Sequence, residues 1–171
     1  YDGVQTKVYK PSEFHRQNAN PIGNQTHFIA GDKDGNVFFD SDQSLIRYDI
    51  QTQKFSCLRK SNVYTVASIK GTIWVGIADS ILTWNPDKND FDFVTRLENR
   101  NQRATCLLED SGGRYWIGTT DGLFRMNDDK SLTCMIMGED IYDLYEDSKY
   151  NLWISIRMNG MYKRDVHGNF T

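Results

Sequence analysis

The 171 residues hold little that could staple a fold covalently: only three cysteines, Cys57, Cys106 and Cys134. They form no C-x-x-C pair and keep no regular spacing. An odd count argues against a complete disulfide framework, and free cysteine behaves as a small hydrophobe, so the thiols read as half-buried strand residues. Histidine is equally sparse. His15, His27 and His167 do not fall at a zinc-ligand spacing, so neither a metal nor a cofactor is expected. No apolar run approaches the ~20 residues needed to cross a bilayer, and no signal-peptide pattern is present. Charge of one sign is scarce too. A formal net charge of −3 supplies no basic stripe, which argues against nucleic acid as a partner. No segment longer than about ten residues carries a 3.6-residue apolar stripe, so helical architectures are excluded.

What the chain does have is aromatic residues, at 13%, and they recur in register. An apolar–aromatic–apolar–small pattern follows a glycine-bearing turn at Val37-Phe38-Phe39-Asp40, Ile73-Trp74-Val75-Gly76, Tyr115-Trp116-Ile117-Gly118 and Leu152-Trp153-Ile154-Ser155. The anchors Phe38, Trp74, Trp116 and Trp153 lie about 40 residues apart, a period that marks a repeat architecture.

Each unit divides into four short segments. The first is β-branched and apolar: His27 to Gly31, Val63 to Ile69, Thr105 to Glu109, and Ile141 to Glu146. A tight turn follows, with Gly35, Gly71 or Gly113 three residues before the aromatic. Asp32 and Asp110 stand three residues before their glycines, where a carboxylate can bond turn amides. The fourth unit keeps the acid as Asp147 but puts Tyr150 in the glycine's place, which predicts a strained turn. The aromatic segment lacks alternation, so both its faces must be covered. The third segments begin at Leu45, Ile81, Leu123 and Met161; Asp121-Gly122 is a strong hairpin signal before one of them. Outer strands then carry Phe55, Phe91 and Phe93, or Leu132.

Four antiparallel strands per repeat, stacked face to face, describe an all-β fold of β-propeller blades. The expected division is the end of a preceding blade and a long loop at 1–26, then blades at 27–62, 63–103, 104–140 and, incomplete, 141–171. Tyr1-Asp2-Gly3 reads as the interior of a repeat, and Phe170-Thr171 falls where an outer strand should begin. A fragment of a larger propeller, of the seven-bladed type, is the expectation.

The stretch from Glu109 to Asn127, with Asp110, Gly113, Trp116-Ile117-Gly118-Thr119 and Gly122-Leu123, closely resembles the two-component regulator propeller repeat, of the form "eDs.G.lWiGT..GL.r.d". Glu146 to Asp165 is similar, and the units around Phe38 and Trp74 more loosely so. Departures are Phe38-Phe39-Asp40 for Trp-Ile-Gly, Ala78-Asp79-Ser80 where a second glycine is expected, and one extra residue in Arg157-Met158-Asn159-Gly160. The resemblance implies the periplasmic sensor of a hybrid two-component system of the kind typical of gut Bacteroidetes. There, propellers precede a membrane helix, a histidine kinase and a DNA-binding regulator, and oligosaccharides control polysaccharide-utilisation genes. It also implies a homodimer through the full-length receptor, with membrane contact only through the parent chain.

On one face of a propeller lie the loops that enter each inner strand and the hairpins between second and third strands. Here that face would hold the long Lys10–Thr26 segment with His15 and Arg16, the Glu98–Arg103 segment, and the hairpin with Arg157 and Asn159. Arg100, Arg103 and Arg157 are expected to face a shared concavity and to favour an acidic or densely hydroxylated glycan. Solvated loop charge is the plainer account of the same residues. Two other functions compete with a binding module. A glycosidase or sialidase-like propeller would need two carboxyls about 5–10 Å apart across a sugar, and no such pair is nominated. A propeller that only mediates dimerisation is the other.

Overall fold

The computed structural model describes residues 25–41 and 44–171. His15, Arg16, the outer strand expected over Val4 to Tyr9, nearly all of the Lys10–Thr26 segment and the hairpin tip at Asp42 lie outside the described residues.

Every regular element among the described residues is a β-strand. The first sheet runs β1 (Ile29–Gly31), β2 (Val37–Ser41), β3 (Ser44–Asp49) and β4 (Lys54–Arg59); the second, β5 (Val63–Ile69), β6 (Thr72–Ile77), β7 (Ser80–Asn85) and β8 (Asp90–Arg96). The third comprises β9 (Ala104–Glu109), β10 (Tyr115–Thr119), β11 (Gly122–Met126) and β12 (Leu132–Met137). The fourth holds β13 (Ile141–Glu146), β14 (Leu152–Ile156) and β15 (Met161–Arg164). Each is an antiparallel meander in chain order. In the fourth, an isolated bridge between Arg164 and Phe170 stands where an outer strand would pair.

The core is not one cluster but three layers, each shared by two neighbouring sheets. Phe38 and Leu45 meet Val63, Val66, Ile73, Val75 and Trp84. Ile81, Val94 and Leu97 meet Ala104, Ile117, Phe124 and Met126. Cys106, Trp116 and Leu123 meet Ile141, Leu144, Leu152, Ile154 and Ile156. Innermost strands β1, β5, β9 and β13 adjoin one another in sequence. That is the geometry of propeller blades arrayed about a hub.

The lack of alternation in the aromatic strands has its cause here. Ile73 and Val75 are both fully buried, facing the sheet before, while Trp74 turns the other way and stacks on Tyr115 of the next sheet at 5.1 Å. Phe38 likewise meets Trp84 edge-on at 5.3 Å, and Arg164 lies over the Trp116 ring at 5.2 Å. Each of these anchors reaches toward the following blade. Phe38 and Trp116 are fully buried, but Trp74 and Trp153 are only half-buried, so the large truncation cost expected of a buried anchor applies to Trp116 and not to Trp74.

The turns follow the sequence chemistry. Asp110 Oδ1 accepts the Arg114 amide at 2.9 Å, and its Oδ2 accepts the Trp116 indole N–H at 2.8 Å and Arg114 Nε at 2.6 Å. Asp147 repeats this with the Asn151 amide at 2.9 Å and the Trp153 indole at 2.9 Å. Tyr150 adopts φ 64°, the left-handed backbone that Gly113 takes at 77° in the equivalent turn, so the strain expected there is present. Neighbouring blades are also latched by polar bonds: Glu146 accepts from the Ser111 amide and hydroxyl at 2.7 and 2.9 Å, and Glu109 pairs with Lys70.

Candidate ligand concavity

The hub-facing side of strands β5, β9 and β13 lines a concavity of about 890 Å³. Tyr64, Thr105 and Tyr142 occupy the second position of their three inner strands, so the repeat itself brings them to the same rim. Two arginines join them. Arg103 enters from the segment before β9, where its carbonyl accepts the Thr120 amide at 3.1 Å and its amide reaches Thr120 Oγ1 at 3.3 Å. Arg157 enters from the β14–β15 hairpin, where its amide donates to the Asp140 carbonyl at 2.8 Å. The two hairpins hold their arginines by equivalent bonds to the strand-entry segment of the same blade.

Both guanidinium groups lie over tyrosine rings: Arg103 over Tyr64 at 4.9 Å and Arg157 over Tyr142 at 5.0 Å. Arg157 Nε also donates to Asp140 Oδ2 at 3.0 Å. A third polar group, His27, sits on the same lining. The buried Asp40 carboxylate accepts the His27 and Phe28 amides at 2.8 and 2.6 Å, and its other oxygen lies 2.9 Å from His27 Nδ1. An ionised Asp40 can only accept, so Nδ1 carries the proton and Nε2 is left with its lone pair. Asp143 is the one carboxylate among the described lining residues. Cys106 lines the wall as well, but burial pushes its thiol up to about 12, so it holds no thiolate at neutral pH.

Of the residues singled out in the sequence, Arg103 and Arg157 come together. Arg100 stays exposed on the preceding loop and does not line the concavity, and Asn159 turns to Glu139 at 3.3 Å. Tyr64, Tyr142, Asp143 and the His27–Asp40 pair were not foreseen. The recurrence of tyrosine at the second position of two inner strands was the available signal. A second, shallower concavity, of about 580 Å³, lies at the other ends of the inner strands, lined by Lys70, Glu109, Asp110, Ser111 and Glu146. Its carboxylates are spent on the turn and latch bonds described above. Among the described residues no three metal-ligating side chains cluster, and no helix is long and apolar enough to cross a membrane.

The class these features define is a β-propeller segment with a polar, ligand-sized hollow on its hub side. The family model for the two component regulator propeller matches residues 100–121, the stretch that supplies Arg103 and the Trp116 blade motif. Among solved structures, the chain is similar to the extracellular domain of the hybrid two component system BT4673 from B. thetaiotaomicron, with a TM-score of 0.71 at 18% identity over 86% of this chain. The corresponding BT3049 domain, from the same organism, gives 0.70 at 20% identity over 88%. The chain spans 22% of the length of either. Virginiamycin B lyase from Staphylococcus aureus is similar too, at 0.68 and 17% identity, over 86% of this chain and 56% of the lyase. At these identities the likeness concerns the fold, and no curated protein matches the chain.

Proposed function

We propose that this segment is the ligand-binding part of an extracytoplasmic sensor in a hybrid two-component system, taking up oligosaccharides and passing the bound state to a histidine kinase. The observation that carries the reading is the convergence of Arg103, Arg157, Tyr64, Tyr142 and His27 on one concavity. Its volume falls within the range of small-ligand sites, and its lining mixes apolar walls with a few polar groups. The match of residues 100–121 to the two component regulator propeller supports the signalling context. Binding rather than catalysis is favoured because the lining supplies a single carboxylate, where glycoside hydrolysis needs two.

A thermal-shift screen of the full chain against oligosaccharides tests the reading. A ligand held at 100 times its Kd adds about 2.7 kcal/mol, which for a chain of this size raises Tm by roughly 5–10 °C. No shift with any saccharide, and no heat in calorimetry, would end it. The His27–Asp40 pair beside the hollow keeps an enzymatic reading alive, and turnover of chromogenic glycosides that disappears in His27→Ala would favour that instead.

A further inference from the structure

We propose that the concavity takes an acidic saccharide, whose carboxylate or sulfate groups meet Arg103 and Arg157 and whose hydroxyls meet His27 and Asp143. The proposal rests on the oligosaccharide reading above and goes further, to the charge of the ligand.

The first support is a charge imbalance. The chain carries a formal −3, yet the charged groups lining this hollow are two arginines against Asp143 alone, with His27 neutral. A neutral sugar gives no use for that inversion.

The second is preorganisation. Among the described residues, no hydrogen bond or ion pair engages the Arg103 guanidinium, and Arg157 commits only Nε, to Asp140. Stacked on Tyr64 and Tyr142, both guanidinium planes are held flat at the mouth. A stacked guanidinium keeps its edge N–H groups free, in the fork that fits a planar or tetrahedral anion. Ordering these long side chains in advance removes part of the entropy that binding would otherwise cost.

The third distinguishes a sugar acid from a bare anion. Inorganic phosphate or sulfate has little to offer an acceptor at neutral pH, but this lining includes two: His27 Nε2, fixed as acceptor by Asp40, and the Asp143 carboxylate. Hydroxyl donors satisfy them. Only a ligand carrying both anionic groups and hydroxyls uses the whole set. Tyr64 and Tyr142 act here as positioning residues, and Arg100 and Asn159 have no part.

Calorimetric titration of the full chain with three oligosaccharides of equal length, one neutral, one of hexuronates and one sulfated, tests the proposal. The acidic members should bind at least about tenfold tighter than the neutral one, with affinity falling as salt is added. The hexuronate and sulfated arms tell the two anions apart. Arg103→Gln with Arg157→Gln should abolish the preference while leaving the urea midpoint unchanged; Arg103→Lys with Arg157→Lys should keep part of it, because charge remains and the fork is lost. Equal affinity for the neutral oligomer would overturn the proposal and leave the oligosaccharide reading standing. Failure of every saccharide to bind would overturn both. An acidic preference that survives in the folded glutamine variant would also overturn it, since the site would then lie elsewhere.

Discussion

Replacing Asp110 probes how a turn and an interblade layer depend on one carboxylate. In Asp110→Ala three bonds vanish together: the Arg114 amide at 2.9 Å, Arg114 Nε at 2.6 Å and the Trp116 indole at 2.8 Å. The Arg114 side chain is partly exposed, so that ion pair contributes about 0–1 kcal/mol. The indole bond is different. Trp116 is only 1% exposed, and no water can replace the lost acceptor, so an unsatisfied N–H costs about 1–3 kcal/mol in addition to the turn bond. The variant should therefore lose about 3 kcal/mol, read as a lowered urea midpoint with an unchanged slope. Trp116→Phe removes the same donor but keeps an apolar ring in the layer. Because the indole–carboxylate bond is counted in both single variants, the double variant should fall short of their added losses by about 1–2 kcal/mol. Losses that add to within about 0.5 kcal/mol would refute the assignment. The molecule holds its own comparison: in the first blade Phe38 has no donor, and Asp32 takes the Asn36 side-chain amide at 2.8 Å instead.

The same carboxylates set a pH dependence. Hydrogen bonds from the Asn151 side chain and then the Trp153 indole hold Asp147 well below the usual carboxylate range. At Asp110 burial pushes the pKa up, but the Trp116 and Arg114 bonds together outweigh it and leave the group depressed. A depressed folded pKa means the unfolded chain binds protons first, so stability is full above the unfolded value near 3.9 and declines as pH falls toward the folded values. Urea midpoints taken from pH 6 down to pH 3 should fall, less so in Asp110→Asn; a flat profile would contradict the bonding described. Gly118→Ala tests the packing between the third and fourth blades. A Cβ there would meet Ile141 Cγ2 at 2.7 Å and crowd the Cys106 sulfur, so a loss of about 1–3 kcal/mol is expected, partly restored by Cys106→Ala in the same chain. A neutral Gly118→Ala in thermal melts would show that the layer is looser than it stands here.

Local chemistry was legible in the chain. Aspartate three residues before glycine specifies a turn wherever it occurs, because both the carboxylate–amide bonds and the positive φ are short-range. The recurrence of that turn before Phe38 and Trp116, and of Asp147 before Trp153, was enough to give strands, meander and repeat. Even the strain at Tyr150 could be read ahead, since only its neighbours in sequence impose φ 64°. Three-dimensional packing decided the rest. Whether an anchor is sealed depends on what the next blade offers: Trp116 lies under Arg164, while Trp74 rests half-open on Tyr115. The hollow was beyond sequence for the same reason. Arg100 and Arg103 look alike on paper, but only Arg103 is pinned by Thr120 and carried over Tyr64 of the neighbouring sheet. A period along the chain fixes each blade by itself; what two blades share is set by their angle about the hub, which no local residue encodes.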